Sequence, residues 1–294
     1  MTVAGSFNGT PNANDTLLYN PRGIELSKDG ALYVADGSYK LMVFTPNNRV
    51  GATLMTYTEF PALIALDNTS SRIYASISYS ALVKVWPSNV TIPPNAYTAG
   101  CSMDILYFTI GVQVAGNGNV YIASTLCNWV TMWKPNATNG TLVAGLATAA
   151  AGNDNQSLNW PFGLFLDECH SSLYVVDNKN HRIQKFNLNG SRIGVTVAGG
   201  NGAGSAANQL NNPISLVVSQ IDGAMYIADR NNNRVQKWLF NATFGITVAG
   251  SSTGIAGNSS YLLNWPFDVK LASGDAYLYV SDYRNHRIQR FALT

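Results

Sequence analysis

Short apolar runs recur along the chain, and six of them contain a tyrosine near the start of the run. These tyrosines are Tyr33, Tyr74, Tyr121, Tyr174, Tyr226 and Tyr279, at spacings of 41, 47, 53, 52 and 53 residues. The runs are short, rich in β-branched residues and bounded by Asn, Gly and Ser, a pattern that predicts β-strands. A period of about 50 residues indicates one supersecondary unit copied six times.

Residues 160–199 show the predicted strands of one unit most clearly. WPFGLFLD at 160–167 predicts a first strand entered through Pro161, because a residue without an N–H suits a strand's first position. SLYVVD, HRIQKF and a run ending in TVAG at 196–199 predict three more strands, separated by polar turns. No segment has helical periodicity. Four short antiparallel strands repeated six times predict an all-β fold, a six-bladed β-propeller.

The six predicted blades fill a single domain over residues 1–294. Their approximate bounds are 6–56, 57–100, 101–145, 146–199, 200–250, and 251–294 together with 1–5. The last unit ends after its third strand, whereas the chain begins with TVAG at 2–5, the ending of a fourth strand. We therefore expect residues 2–5 to complete the sixth blade and to close the ring without exposed edges.

Neither the charge nor the hydropathy of the chain indicates a class of binding partner. The chain has 18 Lys and Arg against 16 Asp and Glu, so no basic field indicates nucleic acid or anionic lipid. No apolar run approaches the roughly 18 residues that span a bilayer, so we expect a soluble domain without membrane insertion. Met1 is followed at once by the strand ending, and the N-terminus therefore does not resemble a signal peptide.

N-glycosylation sequons favour an extracellular location or the secretory pathway. The ten sequons, about twice the number that residue frequencies predict, are at Asn8, Asn14, Asn68, Asn89, Asn136, Asn139, Asn155, Asn189, Asn241 and Asn258. Asn-rich turns of a cytoplasmic β-protein are the alternative source. We interpret the chain as a secreted glycoprotein domain of a longer precursor, or as an incomplete gene model.

Two segments resemble the NHL repeat. They are NHRIQ at 180–184 and at 285–289, each directly after a Tyr-x-x-Asp strand, and the resemblance extends over essentially the whole chain. Blades two and three depart from the motif, with Ile77 and Ser124 in place of the Asp. The resemblance implies a six-bladed propeller that serves as a binding platform for protein or RNA. Related propellers include the amidating lyase and lactonase-like hydrolases.

Three repeat-equivalent pairs are expected to fix turns. They are Asp177 with Arg182, Asp229 with Arg234, and Asp282 with Arg287, each five residues apart across a turn. Because these residues lie on separate blades, they do not converge as a catalytic set.

Metal and cofactor chemistry has little support in the sequence. His181 and His286 occupy one repeat position that blade five fills with Asn233, which indicates turn chemistry instead of zinc binding. A channel calcium, as in lactonase-like propellers, would have only Glu25 and Asp268 as inner-strand ligands. We expect no catalytic residues, no metal and no cofactor.

The three cysteines are predicted to behave differently. Cys101 and Cys127 fall in loops on one face of a propeller, and we expect them to form a disulfide in blade three. Cys169 lies in a turn on the opposite face and is expected to stay free. The alternative is three unpaired, buried thiols.

A ligand-binding surface is predicted on the face that carries the loops entering each first strand. Its residues are Arg22, Phe162, Ile214, Phe267, Lys179, Arg230, Tyr283 and Arg284. Trp160 and Trp265 are expected to pack between blades.

We therefore expect a non-catalytic extracellular module that binds a protein, peptide or glycan. The alternatives are a propeller hydrolase or lyase with a channel metal, and an RNA-binding NHL domain, against which the low net charge argues.

Overall fold

Six four-stranded antiparallel sheets are arranged radially as the blades of a β-propeller. The computed structural model describes residues 1–6, 9, 17–88, 90–93 and 100–293. The first strands of neighbouring blades contact one another all the way around the ring, including the contact between the sixth blade and the first. The predicted all-β propeller with six blades is confirmed.

The strands of blades one to five follow one another from the centre outward. The first strand of the chain, β1 (Thr2–Gly5), belongs to blade six. Blade one has β2 (Ile24–Leu26), β3 (Leu32–Asp36), β4 (Lys40–Phe44) and β5 (Ala52–Thr56). Blade two has β6 (Pro61–Leu66), β7 (Ile73–Ile77), β8 (Leu82–Trp86) and β9 (Val90–Ile92). Blade three has β10 (Thr109–Val114), β11 (Val120–Ser124), β12 (Trp129–Trp133) and β13 (Thr141–Gly145).

The remaining blades repeat this order. Blade four has β14 (Pro161–Asp167), β15 (Ser172–Asp177), β16 (Arg182–Asn187) and β17 (Val195–Gly199). Blade five has β18 (Ser215–Val218), β19 (Met225–Asp229), β20 (Arg234–Trp238) and β21 (Ile246–Gly250). Blade six has β22 (Pro266–Leu271), β23 (Tyr277–Asp282) and β24 (Arg287–Ala292), followed by β1.

Helical structure in the described residues is limited to single 3-10 turns. Four of them connect the second and third strands or extend that connection, and one precedes β23: Thr125–Cys127, Asn178–Asn180, Arg230–Asn232, Tyr283–Asn285 and Ser273–Asp275. Within the described ranges, no helix is long and apolar enough to cross a membrane.

The ring closes through both chain ends, as predicted. Strand β1 pairs antiparallel with β24, with Thr2 opposite Gln289 and Gly5 opposite Arg287. The Ser6 N–H continues the pairing by donating to the His286 carbonyl. The outer edge of β24 is therefore covered by the first residues of the chain.

The hydrophobic core lies mainly between neighbouring blades. One cluster joins Tyr74 and Val83 of blade two to Val112, Ile122 and Trp133 of blade three, all nearly inaccessible to solvent. Because both faces of a blade pack on neighbours, the first two strands of most blades are almost entirely buried, whereas the fourth strands are partly exposed.

Candidate functional site

The candidate site is a cavity of about 250 Å³ on the upper face. We define the upper face as the side that carries the second-to-third strand turns and the loops entering the first strands. Phe162, Ile214 and Phe267 lie at the upper ends of three neighbouring first strands, just after a proline, and form the apolar lining. These three side chains are almost completely buried.

Four cations surround this lining, and aromatic rings hold all of them. The Arg22 guanidinium lies 4.6 Å from the Phe60 ring centroid, and the Lys179 ammonium lies 5.0 Å from the Trp160 ring. Arg230 and Arg284 both lie over Trp265, at 4.9 and 3.4 Å. Such cation–π contacts position a charge without neutralising it.

No carboxylate is among the described residues that line the cavity. Its described lining residues are Arg22, Ser78, Tyr79, Phe108, Ile110, Trp160, Phe162, Asn178, Lys179, Ile214, Arg230, Trp265, Phe267 and Tyr283. The ion pairs found elsewhere in the described residues involve none of the four cations. Burial lowers the pKa of the Arg230 guanidinium; Tyr283 opposes this change, and the adjacent Arg284 adds to it. The cavity therefore presents uncompensated positive charge next to apolar surface, an arrangement suited to an anionic group.

The structure brings seven of the eight residues predicted for this surface into one cavity. Arg284 is the exception, because it packs on the Trp265 ring without lining the cavity. Whether these residues bind a ligand stays a prediction.

The interpretation of Trp160 and Trp265 as residues packed between blades is wrong for Trp160. Its side chain is 38% exposed, and both rings line the cavity. Both residues have left-handed backbone geometry, with φ of 55° and 56°, which is unusual for tryptophan. This conformation turns the rings toward the upper face. Tyr79 and Phe108, also missed, stand at the repeat positions of Lys179 and Trp160, so aligning the six repeats would have found them.

A hydrogen bond between blades holds each tryptophan in this conformation. The Trp160 N–H donates to Asn128 Oδ1, and the Trp265 N–H donates to Asn233 Oδ1, both at 3.0 Å. His181 and His286 occupy the same repeat position, and their Nδ1 atoms accept the N–H groups of Asn212 and Asn20. We call these four contacts the blade latches.

The predicted Asp–Arg pairs are all present as buried contacts. Arg Nε to Asp Oδ2 distances are 2.7 Å for Asp177–Arg182, 2.8 Å for Asp229–Arg234 and 2.8 Å for Asp282–Arg287. The backbone N–H bound by each carboxylate comes from the loop entering the first strand, for example Asn211 N–H to Asp229 Oδ1, and not from the turn itself. The pairs therefore fix the loops that support the cavity.

The two inner-strand acids are engaged by protein groups. The Glu25 carboxylate lies 3.1 Å from the Lys270 ammonium; burial raises its pKa, and Lys270 opposes this rise. Asp268 accepts hydrogen bonds from Ser215 Oγ and from the Ile24 N–H. Among the described residues, no group of three or more His, Cys, Asp and Glu side chains is placed to hold a metal ion.

Cys101 and Cys127 form the predicted disulfide, and Cys169 is free and exposed, as predicted. The sequons Asn8, Asn14 and Asn89 lie outside the described residues. The other seven sequon asparagines, Asn68, Asn136, Asn139, Asn155, Asn189, Asn241 and Asn258, are all exposed.

No protein-family model matches the chain, so membership of the NHL family stays a prediction. Solved propellers share its fold. An auxiliary nutrient binding protein from Bacteroides thetaiotaomicron aligns with a TM-score of 0.72 and 14% identity, over 98% of this chain and 75% of that chain. A gluconolactonase from Xanthomonas campestris aligns with a TM-score of 0.67 and 11% identity, over 96% and 88%.

A chain of the nidogen/laminin complex aligns with a TM-score of 0.60 and 18% identity, over 77% of this chain and 78% of that chain. The set therefore contains binding proteins and an enzyme. At these identities, the similarity shows the propeller fold alone.

Proposed function

We propose that the chain is a non-catalytic, extracellular recognition module that binds a protein, peptide or glycan through its upper-face cavity. One observation carries the proposal: Arg22, Lys179, Arg230 and Arg284 are held on aromatic rings around an apolar lining, and no carboxylate is among its described residues. The cations would bind the carboxylate or sulfate of a ligand, and the apolar lining would contact an adjacent apolar group of the same ligand.

The extracellular part of the proposal has separate support. A disulfide joins Cys101 to Cys127, and disulfides persist mainly in oxidising compartments. The exposed sequons are consistent with this location. The nutrient binding protein and the nidogen/laminin chain show that binding proteins use the same fold.

The enzymatic alternative receives less support from the channel. A metal in the channel would need free oxygen ligands, whereas Glu25 pairs with Lys270 and Asp268 accepts three hydrogen bonds. The gluconolactonase shows that the fold permits catalysis, but fold similarity alone does not assign it.

Arrays of acidic and neutral peptides and glycans test the proposal. We expect binding to acidic probes that falls at least about tenfold in Arg230→Gln, because a charge-assisted hydrogen bond contributes about 1.5–3 kcal/mol. Lys185→Gln is the matched control, since Lys185 lies over Tyr174 in a groove between blades four and five. Binding that is equal for both variants, or that ignores probe charge, would contradict the proposed site.

A further inference from the structure

Three grooves between neighbouring blades share one construction. They lie between blades six and one, two and three, and four and five, with volumes of about 470, 480 and 430 Å³. One wall carries the repeat tyrosine of the earlier blade: Tyr279, Tyr74 or Tyr174. The other wall is the hairpin between the third and fourth strands of the later blade, and it presents Asn47, Asn136 or Asn241.

The three hairpins make the same turn. Asn47, Asn136 and Asn241 have φ of 62°, 61° and 59°. In each hairpin the residue after the asparagine donates its N–H to a carbonyl three residues back, for example Ala242 to Leu239 at 3.0 Å. A turn with positive φ at its third position selects Gly or Asn. Turn geometry therefore explains the asparagine in all three hairpins.

Turn geometry does not explain the threonine that follows two residues later. Thr138 and Thr243 are exposed, and no hydrogen bond of either hydroxyl is found among the described residues. Blade one makes the same turn with Arg49 at that position, so the hydroxyl is not needed for the hairpin. An Asn-Ala-Thr triplet with an exposed Asn is an acceptor for N-linked oligosaccharide.

The groove between blades four and five also has unusually exposed apolar edges. Phe240 is 65% exposed and Val195 is 64% exposed, and both line the groove with Asn241. Leu239, Phe244 and Ile246 of the same hairpin are 53–59% exposed. A contiguous patch of exposed apolar residues commonly marks a surface that another molecule contacts.

We propose that Asn136 and Asn241 carry N-linked oligosaccharides whose first sugars lie in the adjoining grooves, and that the sugar on Asn241 covers the apolar edge of its groove. In the transfer, Nδ2 bonds to the anomeric carbon of a lipid-diphosphate-linked oligosaccharide. The bond from that carbon to the diphosphate oxygen breaks, the lipid diphosphate leaves, and the amide proton goes to a base of the transferase. The inference rests on the extracellular location proposed above.

Site-resolved mass spectrometry of the full chain, secreted from a glycosylating eukaryotic host behind a cleavable signal sequence, tests this proposal. We expect Asn136 and Asn241 to be modified and to resist enzymatic deglycosylation of the folded protein at least about tenfold longer than Asn189. Asn189, in the corresponding hairpin of blade four, is the control, because it lines none of the three grooves. Arg49→Thr should add a sugar at Asn47, since it completes a sequon on the same turn.

Several outcomes would overturn the proposal. In one, Asn189 is modified while Asn136 and Asn241 are not; in another, all three sugars are removed equally fast. A chain bearing no sugar at any site would overturn this proposal together with the extracellular location. Loss of ligand binding at the upper face is measured separately, so it does not bear on the result.

Thr243→Ala should leave the fold intact and increase self-association in light scattering, whereas unchanged scattering would contradict the covering role.

Discussion

At the scale of single residues, the blade latches explain why one repeat position holds either Asn or His in blades three to six. Asn128 and Asn233 accept a backbone N–H through Oδ1, and His181 and His286 do so through Nδ1. All four have φ between 51° and 54°, a conformation in which Asn and His are enriched. His181 and His286 can accept a backbone N–H only while their Nδ1 atoms are unprotonated.

The histidine latches should make stability depend on pH. Burial lowers the pKa of both imidazoles below their ordinary value of 6.5, and for His181 the nearby Lys179 adds to the effect. As pH falls below about 6.5, the unfolded chain therefore takes up protons before the folded protein does, and the free energy of unfolding decreases. We expect a loss of less than about 1 kcal/mol for each histidine, because both rings are partly exposed to solvent.

Chemical denaturation at pH 7.5 and pH 5 measures this dependence. The double variant His181→Asn and His286→Asn copies the latch of blade five and should lose less free energy of unfolding between pH 7.5 and pH 5 than the wild type. A variant that keeps the wild-type slope would show that other groups titrate in this range.

Replacing one residue of a buried Asp–Arg pair should strongly lower the free energy of unfolding. Asp229→Ala leaves the Arg234 guanidinium, with 2% of its side chain exposed, without its carboxylate partner. Removing one partner of a buried pair costs about 3–5 kcal/mol of unfolding free energy. Asp222→Ala, which removes the exposed partner of Lys237 in the same blade, should cost less than about 1 kcal/mol. Urea denaturation of both variants compares the two costs, and equal costs would contradict the structural role.

At the scale of elements, the disulfide of blade three replaces a hydrogen bond. In blades four, five and six, an asparagine side chain donates to a glycine carbonyl of the preceding loop, as Asn180 does to Gly152 at 2.7 Å. Cys127 stands at that position in blade three, and Cys101 follows the equivalent Gly100. A covalent bond therefore holds the loop where the Asp–Arg pair is missing.

Removing this bond should destabilise the protein. The two cysteines are separated by 26 residues, and closing a loop of this size contributes about 3 kcal/mol through the entropy of the unfolded chain. We expect Cys101→Ala with Cys127→Ala to lose about that amount in guanidinium denaturation. Cys169→Ala should be neutral, because its thiol is exposed and free. A double variant as stable as the wild type would rule out a stabilising role.

The same elements show which structural features can be predicted from the sequence and which cannot. Strand positions and the Cys101–Cys127 bond follow from repeat spacing, because equivalent loops of a propeller share a face. The exposed Trp160 ring did not follow, since it depends on a left-handed backbone at a position before proline. Propensity disfavours that conformation, and a contact from the previous blade, made by Asn128, holds it.

At the scale of the whole molecule, the repeat alone determines how distant residues meet. Arg22 and Phe267 are far apart in sequence, yet ring closure brings the guanidinium to 5.9 Å from the phenyl centroid. The sequence therefore predicted seven of the residues that line the cavity, but not the aromatic residues Trp160, Tyr79 and Phe108. It did not predict that the cations stack on rings, because side-chain contacts across blades depend on the exact backbone path.

Ring closure itself depends on very few residues. Strand β1 covers the edge of β24 through Thr2, Ala4 and Gly5, and Met1 exchanges main-chain hydrogen bonds with Arg290. Deleting residues 1–5 would remove these bonds, each worth about 1 kcal/mol, and would expose unpaired N–H and C=O groups along β24.

We expect the deletion variant to unfold at lower urea concentration and to self-associate with increasing concentration in size-exclusion chromatography. Val3→Thr is the matched control, because it changes a half-buried side chain and keeps every main-chain bond of β1. Since the Arg22 and Phe267 contact spans the junction between blades one and six, the same deletion should weaken upper-face binding, although no deleted residue lines the cavity. A monomeric, equally stable deletion variant would show that the other interblade contacts suffice to close the ring.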